Sequence, residues 1–289
     1  MEVNRILDYS PREIYFHLKL KLNIEPRLKQ FDHQFPCVFV LSTGRAGTQT
    51  LSELFKLAPN IISYHEPMPT LYRLSNLAYN QLRCWKNCKD IWQESFVTAR
   101  AALLRRSLCC HKGYVETSPH STFLAPVIAS VIPNVKFIHL VRDPRCVVRS
   151  GMRRNWYNGH SFDSTRITPQ IKTEEGEKWE SYTLFQKNIW LWNETNKWIA
   201  DFLSTFPRSK QLIVHSEDMF SGNRETVEKI FNFIGGTVPS EGKMSKVLKK
   251  KMNAQKKGDF PMSDSWSKQM DSELKARAGT VAMRLGYIL

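Results

Sequence analysis

The stretch Phe35-Pro-Cys-Val-Phe-Val-Leu-Ser-Thr-Gly-Arg-Ala-Gly-Thr-Gln-Thr-Leu-Ser-Glu-Leu-Phe55 decides the fold of this chain. Its apolar run is too continuous for a strand with one face in water, so it predicts a central parallel strand covered on both faces. A loop of small residues follows from Ser42 to Gly47, and a helix is predicted to begin at Thr48. Gly44 and Gly47 let backbone amides converge, and the helix start adds free N–H groups and a positive dipole end. The stretch therefore predicts an anion-binding loop.

Arg45 adds a fixed positive charge with a planar fork of donors to this loop. The Walker pattern of ATPases and GTPases needs a lysine directly after its second glycine, and here Thr48 follows Gly47. An ordinary ATPase or GTPase is therefore disfavoured.

Size and composition fit one globular domain with a basic surface. The chain has 289 residues, of which 42% are hydrophobic and 11% aromatic. We predict a single domain over residues 35–289, preceded by a peripheral arm over residues 1–34. The formal net charge of +15 favours a polyanionic ligand, nucleic acid or an anionic surface. Seven lysines and no acid lie between Lys243 and Lys257.

The cellular setting is predicted from what the sequence lacks. The first residues do not form the apolar core of a signal peptide, and no stretch approaches the ~20 apolar residues of a membrane helix. Six cysteines include no C-x-x-C pair and no zinc-like spacing. We expect a soluble, cytoplasmic protein with reduced thiols and no metal.

Further strands and helices alternate along the chain. Further strands are predicted to begin at Ile61 and at Gly113, to run from Lys136 to Val141, and to cover 211–215. The strand that begins at Gly113 is predicted to lead into a helix that Thr117 or Ser118 caps. Asp143 is predicted to cap a helix that begins at Pro144. The remaining segments are read as helical at 71–110, 177–202, 223–234 and 271–285, with a loop over 151–173. This alternation predicts an α/β fold, a central and mostly parallel β-sheet flanked by helices.

Charged and polar residues follow the predicted strands directly. His65 and Glu66 come after the second strand, and Arg142 comes after the fourth. The carboxyl ends of parallel strands share one edge of the sheet, where ligands bind. We therefore expect these side chains to lie beside the opening loop.

In this order the segments resemble the sulfotransferases that use 3′-phosphoadenosine 5′-phosphosulfate (PAPS), over about residues 35–287. The opening loop resembles the family's 5′-phosphosulfate loop, and Arg142 with Ser150, eight residues on, resembles its 3′-phosphate motif. A weaker likeness covers the basic segment before Gly258. The resemblance implies a P-loop NTPase-like sulfotransferase fold and a nucleotide product, PAP, without a metal. The donor contacts that it implies are Gly44, Arg45, Ala46, Gly47, Thr48, Gln49, Thr50, Arg142, Ser150, Lys256, Lys257 and Gly258.

Sulfuryl transfer to a hydroxyl or amine also needs a general base. Cytosolic members of the family carry a histidine on the third strand, where this chain has Ser118. Glu66 is the first choice, because His-Glu-Pro leaves the second strand toward the loop and other branches use a glutamate. His120 and His65 remain candidates, and Glu66 pairing only with a neighbouring arginine remains the structural alternative. Arg45 is expected to meet the charge that develops on the bridging oxygen.

Two parts of the site stay open at this stage. Thr50 replaces the tryptophan that cytosolic members place near the adenine, so Trp156, Tyr157 or Phe260 are considered for that contact. The acceptor, a small molecule or a carbohydrate, is not identified, and we expect the 151–173 loop and the 71–110 helices to select it.

Two other functions compete with this reading. A P-loop phosphotransferase such as a nucleotide kinase would share the fold but lacks the Walker lysine. A nucleic-acid-binding protein would explain the charge, but aromatic residues do not alternate with the lysines as stacking platforms would. We expect neither a nucleic-acid partner nor a membrane span.

Overall fold

The computed structural model describes residues 28–32, 34–81, 85–250, 252 and 258–289. Its strands are β1 Cys37–Leu41, β2 Ile61–Tyr64, β3 Gly113–Glu116, β4 Lys136–Val141 and β5 Gln211–His215. Its helices are α1 Thr48–Phe55, α2 Tyr72–Gln81, α3 Trp85–Cys109, α4 Ala125–Val131, α5 Pro144–Met152, α6 Glu174–Lys178, α7 Leu184–Ser204, α8 Ser216–Ser221, α9 Arg224–Phe233, α10 Glu241–Leu248 and α11 Lys268–Arg284.

The five strands form one parallel sheet in the order β2-β3-β1-β4-β5. All five residues of β1 are buried, and this strand pairs with β3 on one side and β4 on the other. The continuous apolar run thus lies at the centre of the sheet. The predicted α/β fold is confirmed.

The sheet separates two large apolar clusters. Phe39 and Tyr114 point into the cluster that contains α3, α4 and α7, and Val38 and Val40 point into the one that contains α1 and α9. Alternate residues of β1 therefore serve opposite faces. Most of the predicted 1–34 arm lies outside the described residues, and its described part buries Phe31 in the first cluster. The division into arm and domain stays a prediction.

The long helix predicted over 177–202 is wrong at its start. A short helix ends at Lys178, a 3₁₀ turn covers Trp179–Ser181, and α7 begins only at Leu184. Thr183 and Gln186 form a capping box that fixes this start. The pattern T-x-x-Q is visible in the sequence and marks the boundary that periodicity alone missed.

The helix predicted after β3 begins as a 3₁₀ helix, Pro119–Leu124, before α4 continues it. Ser118 occupies its cap position but makes no side-chain cap bond, and the Thr117 hydroxyl lies 3.2 Å from Nδ1 of His65 instead. Ser118 therefore holds the predicted cap position, and Pro119 begins the helix as predicted, but neither Ser118 nor Thr117 provides a side-chain cap. The cap at Asp143 is confirmed, because its carboxylate accepts a 2.7 Å bond from the Arg145 amide.

Within the described part of the chain, no helix has the length and apolar character to cross a bilayer. The five described cysteines are free thiols. The described residues also contain no group of three or more potential metal ligands.

Candidate active site

The carboxyl ends of the strands open into one large cavity of about 1030 Å³. This volume lies at the upper end of the ~300–1,000 Å³ typical of small-molecule sites. The cavity wall brings together most of the residues predicted for the site, which come from four separate segments. Those at the wall are Gly44, Arg45, Gly47, Thr48, Gln49, Thr50, His65, Glu66, His120, Arg142 and Ser150.

The opening loop adopts a backbone that few residues tolerate. Gly44 and Gly47 have φ values of 77° and 94°, and Arg45 lies in the same left-handed region at 58°. A Cβ on Gly47 would lie 2.7 Å from the Phe220 ring, so glycine is required there. The first α-helical bond runs from the Leu51 amide to the Gly47 carbonyl, which leaves the preceding amides of α1 for a ligand.

Ala46 differs from its neighbours in the loop. Its side chain is fully buried and does not reach the cavity wall, and its carbonyl accepts a bond from the Ser216 hydroxyl. Ser216 also donates to the Val141 carbonyl at 2.8 Å. The first residue of α8 thus ties the opening loop to the end of β4.

Ser150 connects the two predicted anion sites. Its hydroxyl oxygen accepts two hydrogen bonds, one from Nε of Arg45 at 3.1 Å and one from Nη1 of Arg154 at 2.9 Å. Arg142 donates from Nη1 to the Arg45 carbonyl at 3.1 Å, and its guanidinium lies 5.4 Å from the ring centre of Phe220. The loop and α5 therefore meet through hydrogen bonds before any ligand arrives.

Positive charge is concentrated at this end of the cavity, which we call the cationic end. Burial, followed by the charges of Arg154 and Arg142, lowers the pKa of Arg45 to about 10. The group stays protonated at neutral pH, so the crowding of cations is a standing repulsion that a bound anion would relieve. The cations that line the cationic end are Arg45, Arg142, Arg149, Arg153, Arg154 and Lys250.

Of the predicted basic segment, Gly258 is the residue that belongs to the described part of the chain. It has φ 81°, and its carbonyl accepts a 2.9 Å hydrogen bond from Nε of Arg153. A Cβ there would lie 2.2 Å from the Arg153 carbonyl oxygen. Gly258 thus contacts the C-terminal end of α5, whereas Lys256 and Lys257 lie outside the described residues.

The three candidate bases lie together, and we call them the titratable trio: His65, Glu66 and His120. Glu66 Oε1 lies 3.8 Å from Nε2 of His65 and 4.0 Å from Nε2 of His120. Nδ1 of His65 donates to the Thr117 carbonyl at 2.9 Å, because a carbonyl oxygen only accepts. Glu66 has the rare left-handed backbone (φ 45°) and a side chain that is 36% exposed. Its carboxylate therefore faces the cavity.

His120 is held neutral. Burial is the main cause of its pKa falling to about 3, and the positive charges of His65 and Arg166 add to it. Its ring lies 3.4 Å, centre to centre, from the ring of Tyr72, and its Nδ1 is buried without a hydrogen-bond partner among the described residues. So weak a base is a poor match to proton abstraction near neutral pH.

A buried network supports the trio from below. The carboxylate of Glu116 accepts bonds from Arg100 at 2.7 and 2.9 Å, from Tyr114 at 2.6 Å and from Ser121 at 2.6 Å. Arg100 also donates to the carbonyl of Pro69, three residues beyond Glu66. Both members of the ion pair are fully buried. One carboxylate therefore joins the segments that carry Glu66 and His120.

The opposite end of the cavity has a different character, and we call it the neutral end. Phe123 lies one 3₁₀ turn after His120, and its amide donates to the Ser75 hydroxyl at 3.3 Å. Asn76 donates to the Arg166 carbonyl at 2.7 Å and thereby holds the 151–173 loop against α2. The neutral end is lined by Tyr72, Ser75, Asn76, Phe123, Ile167, Leu191 and Thr195.

The residues considered for the adenine separate from one another. Trp156 lies at the cavity wall, and the Arg166 guanidinium covers its ring at 4.0 Å. Tyr157 packs edge-on against Trp179, and Phe260 packs against Phe185, so neither lies at the wall.

Several wall residues were not predicted as site residues. Arg154 follows Ser150 by four positions, and helical spacing would have placed both on one face. Phe220 and Tyr72 carry no local sign of their position, because each reaches the wall only through packing between distant segments.

Comparisons with known proteins agree with this architecture. A sequence model of the sulfotransferase family matches residues 36–240, while a search of curated protein sequences finds no match. The sulfotransferase domain of the Synechococcus PCC 7002 olefin synthase is 16% identical, with a TM-score of 0.51 over 89% of this chain and 98% of that one. The sulfotransferase domain of the curacin biosynthetic pathway is 16% identical, with a TM-score of 0.53 over 88% and 99%. The sulfotransferase STF9 of Mycobacterium avium is 11% identical, with a TM-score of 0.53 over 96% and 83%. Because the family match covers more than half of the sequence, the chain belongs to the sulfotransferase family.

Proposed function

We propose that this protein transfers the sulfuryl group of PAPS to a hydroxyl group of an acceptor. The observation that carries the proposal is the cationic end, where the opening loop and α5 present two anion positions joined through Ser150. A nucleotide with phosphates on both sides of its ribose needs two such positions. The N-terminus of α1 and the fork of Arg45 suit the 5′-phosphosulfate, and Arg142 with Ser150 suits the 3′-phosphate.

Within the opening loop, Gly44, Gly47, Thr48, Gln49 and Thr50 would hold the phosphosulfate, Ala46 through its backbone. On the other side, Lys256, Lys257 and Gly258 would complete the 3′-phosphate site. These roles follow from the resemblance and from the position of the loop at the cavity.

The chemistry asked of the protein is positioning and charge stabilisation. The acceptor oxygen forms a bond to sulfur while the bond from sulfur to the bridging phosphate oxygen breaks. Arg45 stabilises the charge that grows on that bridging oxygen. The proton of the acceptor passes to Glu66, whose carboxylate faces the cavity between the two ends. His120 is the weaker alternative because its pKa is about 3, and His65 already uses Nδ1 to hold Thr117.

Calorimetric titration of the full chain with PAP tests the proposal. PAP should bind in the absence of magnesium, and ATP, which lacks the 3′-phosphate, should bind at least tenfold more weakly. Binding of ATP only with magnesium, together with no binding of PAP, would instead indicate a phosphotransferase and end the proposal.

A further inference from the structure

We infer that the acceptor is an uncharged, largely apolar molecule with one reactive hydroxyl, a phenol or a hydrophobic alcohol. The inference rests on the proposed function and narrows its acceptor. It follows from the neutral end of the cavity and from the way charge is distributed around it.

The wall of the neutral end is apolar beside the titratable trio. Phe123, Ile167 and Leu191 are at most 7% exposed, and together they offer apolar surface beside the titratable trio. The residues that define the neutral end are themselves uncharged, and the charges of the wall that act on its Tyr72 are those of Glu66 and Arg166. An ionised group taken into such surroundings loses its hydration without a partner, which is strongly unfavourable.

The positive charge closest to the neutral end is already balanced. The Arg166 side chain, 14% exposed, forms a 2.9 Å ion pair with Asp163 and lies on the Trp156 ring. The other cations of the wall belong to the cationic end, where the donor's phosphates and sulfate would meet them. An anionic acceptor would therefore have to compete with Asp163 or with the donor.

The polar side chains of the neutral end already have partners within the protein. Asn76 spends its amide hydrogens on the carbonyls of Thr165 and Arg166, and the Ser75 hydroxyl accepts from the Phe123 amide. A sugar ring with several hydroxyls would leave many of them without partners in this end of the cavity. An apolar ring or chain loses nothing there.

Two stacked aromatic rings lead from the surface to the titratable trio. Phe162 is 46% exposed and stacks on Tyr72, with ring centres 5.1 Å apart and planes inclined by 19°. Tyr72 in turn contacts His120 of the titratable trio. A flat apolar body that packs against these rings points its hydroxyl toward Glu66 and the loop.

A pair of matched acceptors tests the inference with labelled PAPS and the full chain. We expect kcat/KM for 2-naphthol to exceed that for 6-hydroxy-2-naphthoate, its charged analogue, by about tenfold or more, and methyl glucoside and heparan sulfate to react more slowly still. Equal or faster transfer to the charged analogue, to the sugar or to the polymer overturns the inference, and so does a complete lack of transfer to 2-naphthol. If PAP itself fails to bind, the proposed function falls first, which separates the two failures.

A substitution at the exposed Phe162 provides a second test of where the acceptor binds and leaves the buried core unchanged. Phe162→Lys places a cation beside the acceptor and should reduce the preference for 2-naphthol over its charged analogue roughly threefold. Ile171→Lys is the matched control, since Ile171 is 87% exposed in the same loop and lies outside the cavity wall. An unchanged ratio in Phe162→Lys, or the same shift in both variants, contradicts the placement of the acceptor.

Discussion

The two ends of the cavity solve different problems with different residues. The cationic end uses arginines that repel one another and are held by hydrogen bonds to Ser150 and to backbone carbonyls. The neutral end uses aromatic and aliphatic side chains, and its nearest cation, Arg166, is paired with Asp163. The cationic end is suited to a ligand of high negative charge, and the neutral end to an uncharged ligand. Glu66 lies between them, within electrostatic range of both Arg45 and Tyr72.

The largest effect should come from Arg45, which belongs to the cationic end but acts on the reacting atoms. Arg45→Ala should lower kcat/KM for transfer by about 10³-fold or more, because charge on the leaving oxygen loses its stabilising partner. Steady-state rates with labelled donor measure this. Arg224→Ala is the control, since Arg224 is exposed and pairs only with Glu228. Retention of more than a tenth of the activity would remove Arg45 from the chemical step.

Glu66 should have the next largest effect. Glu66→Gln keeps the shape of the side chain but removes the proton acceptor, so kcat should fall by about 10²- to 10³-fold. The affinity for PAP, measured by calorimetry, should stay within about twofold. Full turnover in this variant would show that another group takes the proton, and His120→Asn would then be the variant to assay.

The buried ion pair between Glu116 and Arg100 should contribute to the free energy of unfolding. Glu116→Gln removes the charge that a fully buried Arg100 faces, and breaking such a pair costs about 3 kcal/mol of unfolding free energy. Urea unfolding measures this loss. Asp201→Asn, at the exposed pair with Arg284, should cost less than about 1 kcal/mol. Similar losses in the two variants would mean that burial does not distinguish these pairs.

Acid should lower the stability of the fold through a buried histidine of the central sheet. Burial lowers the pKa of His139, on β4, to about 4, although its bond to Asn196 opposes the shift. The unfolded chain then binds a proton below about pH 6.5 while the folded chain does not, so stability falls as the pH is lowered from about 6.5 toward 4.

For His139 the loss at pH 5 is about 2 kcal/mol relative to pH 7. Urea unfolding at the two pH values measures it. His139→Gln should reduce this pH dependence, whatever it does to the stability at pH 7. An unchanged difference between the two pH values would assign the acid sensitivity to other groups.

Arg142 should give the smallest effect, confined to the donor. Arg142→Ala should weaken PAP binding about tenfold, as expected for one charge-assisted contact. The KM of the acceptor should change little, because Arg142 lies at the cationic end. A larger change in acceptor KM than in PAP affinity would contradict the assignment of Arg142 to donor binding.

The two ends also differ in how far the sequence predicted them. The opening loop is one continuous stretch, and so is the segment from Arg142, after β4, to Ser150 on α5, so spacing and local geometry were enough to group the residues of each. Tyr72, Phe123 and Leu191 come from segments far apart in the chain and read singly as ordinary core residues. Only packing of α2 and α7 around the 3₁₀ helix makes them one wall.

The support of the trio was equally hidden. Glu116 ends strand β3 and was not among the predicted site residues, because no local rule pairs it with Arg100 on another element. The helix start at Leu184 was recoverable from the capping box, and the sheet from the apolar run of β1.

The hydroxyl of Ser150 receives two guanidinium groups at once, and this has a consequence for discrimination between nucleotides. An anion that draws either Arg45 or Arg154 away from Ser150 changes the bonding of the other. Under the proposed function, the two phosphate-bearing ends of the donor would therefore bind cooperatively. A nucleotide with only one of these groups would lose contacts at both positions, because one hydroxyl oxygen links the two guanidinium groups.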